Sequence, residues 1–82
     1  MSNKFIEEFI KLPVAQVKNK LKNCSDTEIE WIADAYFLAK DGAGYNRASY
    51  LELYGGRDGI KEKLLGVEAG TLINMIKKGM EK

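Results

Sequence analysis

The segment from Ser25 to Lys40 has apolar residues on more than one face of a helix. Its polar stripe is narrow, because it consists only of Glu30 and Asp34. A helix with so little polar surface has to be covered on both sides, so we predict that it is the central element of the fold. The two apolar faces, at i, i+3 and i+4 spacing, are Ile29, Ile32, Ala33, Tyr36 and Phe37, and then Trp31, Ala35 and Leu38.

Both ends of this central helix carry recognisable signals. The Ser25 side chain is suited to accept a bond from a free backbone N–H group, and Glu28 is placed to return one, which is the pattern of a capping box. At the other end, Gly42 or Gly44 is able to adopt the left-handed conformation that ends a helix. These signals predict a helix over residues 25–40.

Two short helices are predicted before the central one, and Pro13 separates them. Proline lacks a backbone N–H and disfavours helical geometry at the residue before it, so the first helix, residues 3–12, should end there. The second helix should run to about Lys22. Their inward positions are Phe5, Ile6, Phe9 and Ile10 in the first helix, and Val14, Val17, Leu21 and Cys24 in the second.

Three further helical segments follow the central helix. The first is RASYLELY after an Asn46 cap, the second begins with Asp58 as its cap and ends at Gly66, and the last runs from about Glu68 to Gly79. Their expected inward positions are Ala48, Leu51, Tyr54, Ile60, Leu64, Leu65, Ala69, Leu72, Ile73, Ile76 and Met80.

No strand-like alternation competes with these helical patterns. The predicted fold class is therefore all-α, a compact bundle of about five short helices that forms a single domain over residues 1–82. We expect the first two helices and the last two to pack on opposite faces of the central helix.

The charge is nearly balanced, with 13 Lys and Arg residues against 12 Asp and Glu residues, which weighs against a strongly basic nucleic-acid coat. The charge is unevenly distributed along the chain, since residues 24–45 contain five acidic residues and only one lysine. The single Cys24 has no intramolecular disulfide partner, which favours a reducing compartment. Because no apolar run approaches the roughly 20 residues that cross a bilayer, we expect a cytoplasmic protein with no membrane association.

The chain has no His and one Cys. It therefore lacks the usual ligands of a zinc site and the usual base for a Ser or Cys nucleophile. We accordingly expect no enzymatic activity, no metal, no cofactor and no small-molecule substrate.

Residues 58–79 resemble the helix-turn-helix motif of small bacterial and phage repressors. Leu65, Gly66 and Val67 match the apolar-glycine-apolar turn of that motif. Leu72 matches the residue that holds the second helix against the first, and Ile76 continues the same face. In such a corner the glycine would permit a sharp reversal, and the apolar neighbours would set the crossing angle of the helices.

The resemblance implies a small DNA-binding transcriptional regulator, of phage or mobile-element type, whose last helix enters the major groove of duplex DNA. It requires Glu62, four residues before the turn glycine, to point to solvent. It also implies a homodimer or a DNA-binding partner, because one copy offers little surface. The implied DNA-binding residues are Thr71 and Asn74, which would meet base edges, and Lys77, Lys78, Arg57 and Lys61.

A second hypothesis, from a different class, remains open. The chain would be a helical protein-binding module, such as an inhibitor, an adaptor or an immunity-type protein, with no nucleic-acid role and a larger protein as its partner. Glu30 and Asp34 would then form part of an acidic contact stripe. The apolar part of the contact would consist of side chains that the helical stripes do not all bury, namely Tyr45, Tyr50, Leu53, Tyr54 and Met75.

Overall fold

The computed structural model describes residues 3–81, and this part of the chain forms six α-helices and no strand. The predicted all-α class is confirmed, and each of the six segments whose pattern predicts a helix forms one. In the described range, no helix is both long and apolar enough to cross a membrane. The helices are α1 (Asn3–Phe9), α2 (Val14–Lys22), α3 (Asp26–Asp41), α4 (Arg47–Tyr54), α5 (Arg57–Leu65) and α6 (Ala69–Met80), and a 3₁₀ turn (Gly42–Gly44) joins α3 to α4.

The central helix α3 has the ends that its sequence predicts. The backbone N–H of Glu28 donates to the Ser25 hydroxyl at 3.2 Å, and the backbone N–H of Ser25 donates to the Glu28 carboxylate at 2.9 Å. This is a complete capping box. At the other end Gly42 has a φ of 58°, a value that residues with a side chain rarely adopt. The prediction of helix 25–40 is therefore confirmed to within one residue.

The arrangement around α3 differs from the expected one. Helix α6 makes the most extensive contact with α3, while α5 and α1 also contact it. Helix α2 packs chiefly against α5 and α6 through the fully buried Val17 and Leu21. The prediction that the first two helices cover one face of α3 was therefore wrong for α2. The physical reason is that α3 is already covered by other helices, while α5 and α6 leave an apolar surface between them for α2.

Three residues that we expected to point inward are exposed. Val14, the first residue of α2, is 61% exposed, and Ala48 of α4 is exposed as well. Met80, the last residue of α6, is 39% exposed, and Gly79 takes the buried position instead.

Two helix ends also differ from the prediction. Helix α1 ends at Phe9, before the predicted residue 12, and Gly56 rather than Asp58 caps α5.

Stacked aromatic rings hold α4 against α3. The fully buried Phe37 ring stacks on Tyr50 with 4.2 Å between centroids, and Tyr54 and Tyr45 stack on it at 5.8 and 6.3 Å. Such pairs contribute about 0.5–1.5 kcal/mol each beyond the area that they bury. These tyrosines therefore belong to the internal packing of the domain, and they extend the core toward the surface of α4.

Candidate nucleic-acid interface

The corner between α5 and α6 is short and well hydrogen-bonded. The backbone N–H of Gly66 donates to the carbonyl oxygens of Glu62 and Lys63, both at 3.1 Å, and the N–H of Val67 donates to Leu64 at 3.2 Å. These bonds continue the last turn of α5 before the chain reverses into α6. The corner is thus built from ordinary helix-ending bonds.

Glycine is not required at this corner, contrary to our expectation. Gly66 has a φ of −80° and a ψ of −12°, which is a right-handed helical conformation open to any residue. A β-carbon at this position would meet its nearest atom, the Lys63 carbonyl oxygen, at 3.4 Å, an ordinary contact distance. The sharp turn therefore does not depend on the conformational freedom of glycine.

The apolar residues that carry the helix-turn-helix resemblance are buried to different degrees. Leu72 and Ile76 are fully buried, whereas Leu65 and Val67 of the turn are half-buried. Glu62 is exposed, so no carboxylate separates the two helices. Helix α5 packs on α4, α3 and α2, and α6 packs on α3 and α2, whereas α5 and α6 make little contact with each other. The crossing of α5 and α6 is therefore set largely by their shared neighbours.

Helix α6 presents one polar face to solvent. Thr71, Asn74, Lys77 and Lys78 are all exposed, while the opposite face of the helix is buried. The four side chains span two turns of α6, because residues three and four positions apart share a face. Of the sequence-predicted DNA-binding residues, these four are brought together on one surface.

The other two predicted residues, Arg57 and Lys61, already have partners within the chain. The Nε atom of Arg57 lies 3.2 Å from a carboxylate oxygen of Glu30. The Nζ atom of Lys61 donates to the backbone carbonyl of Lys22 at 2.6 Å. Arg57 therefore links α5 to α3, and Lys61 links α5 to the end of α2.

The acidic residues Glu30 and Asp34 are also engaged within the chain. Arg47 donates from Nε to Asp34 at 3.0 Å and makes a second, parallel bond to the same carboxylate. Another Arg47 nitrogen lies 3.7 Å from Glu30, and the Tyr45 hydroxyl donates to Asp34. A basic partner would therefore have to compete with Arg47 and Arg57 for these carboxylates. They attach α4 and the 3₁₀ turn to α3.

The network shifts the ionisation of its members. Burial raises the pKa of the Tyr45 hydroxyl, and the adjacent Asp34 carboxylate raises it further because it accepts the hydroxyl proton in a hydrogen bond. The same carboxylate raises the pKa of Arg47. Both shifts favour the protonated forms that donate hydrogen bonds to Asp34.

A shallow groove of about 460 Å³ runs beside this network. Its apolar surface is formed by side chains of α1, α3 and α6, and Asp34, Tyr45 and Arg47 lie at its polar end. The sequence indicated several of these residues as helix-face positions but gave no reason to group them. The apolar residues along the groove are Ile6, Trp31, Ala35, Leu38, Gly79 and Met80.

The residues that sequence reasoning missed are those that join separate helices. Arg47 was read only as part of a short helix, yet it is the most connected charged side chain in the described part of the chain. Its partner Asp34 is 13 positions away, and no local spacing rule relates residues so far apart. The sequence did contain one signal for this role, because the lysines greatly outnumber the two arginines. Arginine is the residue that pairs with a carboxylate through two bonds, so a rare arginine is a candidate for such a pair.

Comparisons of the chain with protein-family models, with curated protein sequences and with solved structures found no match. The fold is that of an all-α helical bundle. Arguments about its function therefore rest on its own residues and their geometry.

Proposed function

We propose that the protein binds duplex DNA, with α6 as the helix that enters the major groove, and that it acts as a small transcriptional regulator. The observation that carries this proposal is the division of α6 into a buried apolar face and an exposed polar face that contains two lysines. Residues 69–80 contain no carboxylate, and the exposed Glu68 and Glu81 flank the helix at its two ends. A helix with its side chains is about 10–12 Å across, and the major groove is about 12 Å wide, so the sizes are compatible.

The exposed side chains suggest a division of roles. Asn74 is able to donate to and accept from an adenine edge at the same time, and Thr71 is able to bond to several bases. Lys77 and Lys78 would neutralise phosphates, which position the protein without reading sequence. Arg57 is the least suited of the predicted contacts, because binding DNA would require it to leave Glu30.

A single copy is too small for tight specific recognition. One small module typically buries about 600–1,000 Å² on DNA, whereas tight specific complexes use more. The proposed function therefore includes a homodimer on a two-fold operator, or a DNA-binding partner, as most helix-turn-helix proteins have.

The test is the salt dependence of binding to a fluorescent duplex of mixed sequence, measured by anisotropy between about 50 and 200 mM salt. Lys77→Gln/Lys78→Gln should reduce the slope of log affinity against log salt by about 2, since each lost phosphate contact removes about 0.9. The matched control is Lys4→Gln/Lys40→Gln, which changes the net charge equally at exposed positions on other elements. No binding by the wild type at low salt, or equal slopes for both variants, would exclude the proposal.

Base reading is tested separately on duplexes selected in vitro for binding. Asn74→Ala should lose about 1–3 kcal/mol of preference at one base position, while Lys77→Gln should weaken all sequences alike. A uniform loss for Asn74→Ala would show that α6 does not read bases.

The groove beside α3 favours a second candidate function, the binding of another protein. Its exposed Met80 and half-buried Trp31 and Leu38 resemble the apolar centre of a contact surface. A protein recovered with the chain from its host after nuclease treatment should be lost with Met80→Lys. It should be retained with the control Val14→Lys, which changes an even more exposed apolar residue. Equal recovery with both variants would exclude the groove as the contact.

A further inference from the structure

The second helix is the most uniformly basic element of the domain. No Asp or Glu occurs between Glu8 and Asp26, and α2 lies within this stretch with three lysines. Lys18 and Lys22 are exposed and four positions apart, so they share one side of the helix. Lys20 differs from them, because its ammonium group lies 5.7 Å from the centre of the Phe5 ring. The free positive charge of α2 is therefore concentrated at Lys18 and Lys22.

The fold brings this basic helix to the two helices of the candidate DNA-binding unit. Helix α2 packs against both α5 and α6. The bond from the Lys61 ammonium to the carbonyl of Lys22 joins its last turn to α5 and adds a third positive charge there. The ammonium group of Lys61 therefore lies at the end of α2 that carries Lys22.

In the described part of the chain, no ion pair joins an acidic residue to these lysines. In residues 3–81, all the ion pairs are made by Arg47 and Arg57, and none by a lysine. The acids that could have paired with lysines along α2 are absent from that stretch of sequence. Ammonium groups without acidic partners favour the binding of a polyanion, because that binding releases the counterions condensed on the polyanion.

We propose that Lys18 and Lys22, together with Lys61, form a second contact with the DNA backbone, beside the groove that α6 enters. This inference rests on the proposed function and deepens it, since it names the phosphates of the same duplex as the ligand of α2. Ammonium groups bind phosphates as point charges and do not distinguish bases. The contact therefore contributes affinity and orientation, while sequence preference stays with α6.

The experiment compares Lys18→Gln/Lys22→Gln with wild type and with Lys4→Gln/Lys40→Gln, on the same mixed-sequence duplex and over the same salt range. The α2 variant should reduce the salt slope by about 2, and the control should leave it unchanged. Lys18→Arg/Lys22→Arg keeps the charge and should keep the slope. Combining the α2 and α6 variants should remove about 4 in total, because separate phosphate contacts add.

The outcomes separate this inference from the proposed function. If the wild type binds no duplex at low salt, both fail. If the α6 variant reduces the slope and the α2 variant does not, the function stands and the α2 contact is excluded. An equal reduction by the α2 variant and its control would show a general charge effect and would also exclude it. Single-stranded RNA that competes as well as duplex, with the same dependence on Lys18 and Lys22, would overturn the assignment to duplex DNA.

Discussion

Gly79 of α6 lies directly against the backbone of Ala35 in α3. A β-carbon at position 79 would be 1.8 Å from the Ala35 carbonyl oxygen and 2.9 Å from its α-carbon. Real β-carbons do not approach other atoms so closely. The absence of a side chain at Gly79 therefore permits the close approach of the two helices that share the largest contact in the domain.

We expect Gly79→Ala to destabilise the protein by about 1–3 kcal/mol or more, because the new methyl group meets backbone that has no alternative position. Gly70→Ala in the same helix is the control. Its β-carbon meets only the mobile end of the Glu68 side chain, so it should stabilise by up to about 1 kcal/mol through helix propensity. Urea unfolding measures both, and similar effects at the two positions would contradict the close approach.

The bond between Asp34 and Arg47 should couple α3 to α4 measurably. A double-mutant cycle with Asp34→Asn and Arg47→Gln should give a coupling free energy of about 1 kcal/mol at low salt, and less at high salt, because Arg47 is half exposed to solvent. A cycle that pairs Arg47→Gln with Asp26→Asn should give no coupling. A zero value for the Asp34 cycle would show that the bond contributes no stability, and a salt-independent value would contradict its ionic character.

Stability should fall as the pH rises above about 9, and more steeply above about 10. The pKa of Tyr45 is raised in the folded state, first by burial and then by Asp34, while the unfolded tyrosine titrates near 10. Between these two values the unfolded chain releases a proton that the folded chain keeps, which favours unfolding. Burial also raises the pKa of the Cys24 thiol, which adds a loss of stability that begins at about pH 9. Urea unfolding of Tyr45→Phe should show a flatter decline than wild type, and parallel curves would contradict the shift.

Phe37 should matter more for stability than Trp31, although Trp31 is the larger residue. Phe37 is fully buried beneath three tyrosine rings, whereas Trp31 is half-buried and packs at 5.8 Å against Phe5. Phe37→Ala should cost about 3–5 kcal/mol, and Trp31→Ala should cost less. Chemical unfolding, or circular dichroism if Phe37→Ala does not fold, makes the comparison. A larger loss for Trp31→Ala would contradict the packing described above.

The exposed face of α6 was predictable, because helical spacing alone separates Thr71 and Asn74 from Leu72 and Ile73. The interactions of Arg57 and Lys61 were not, since each depends on a residue of another helix. The groove beside α3 was also unpredictable, because three helices that are distant in sequence contribute to it.

Local rules of the sequence determined where the helices lie and which faces are apolar. The signals that mark the helix ends act over a few residues, so they can be read from the sequence alone. They are the Ser25 capping box, the break at Pro13 and the stop at Gly42. The tertiary structure alone decided that α2 packs on α5 and α6, that Gly79 approaches Ala35 and that Arg47 binds Asp34. Those outcomes depend on which helix faces fit one another in space. Helical periodicity identifies the apolar face of each helix, but it does not say which helix packs against that face.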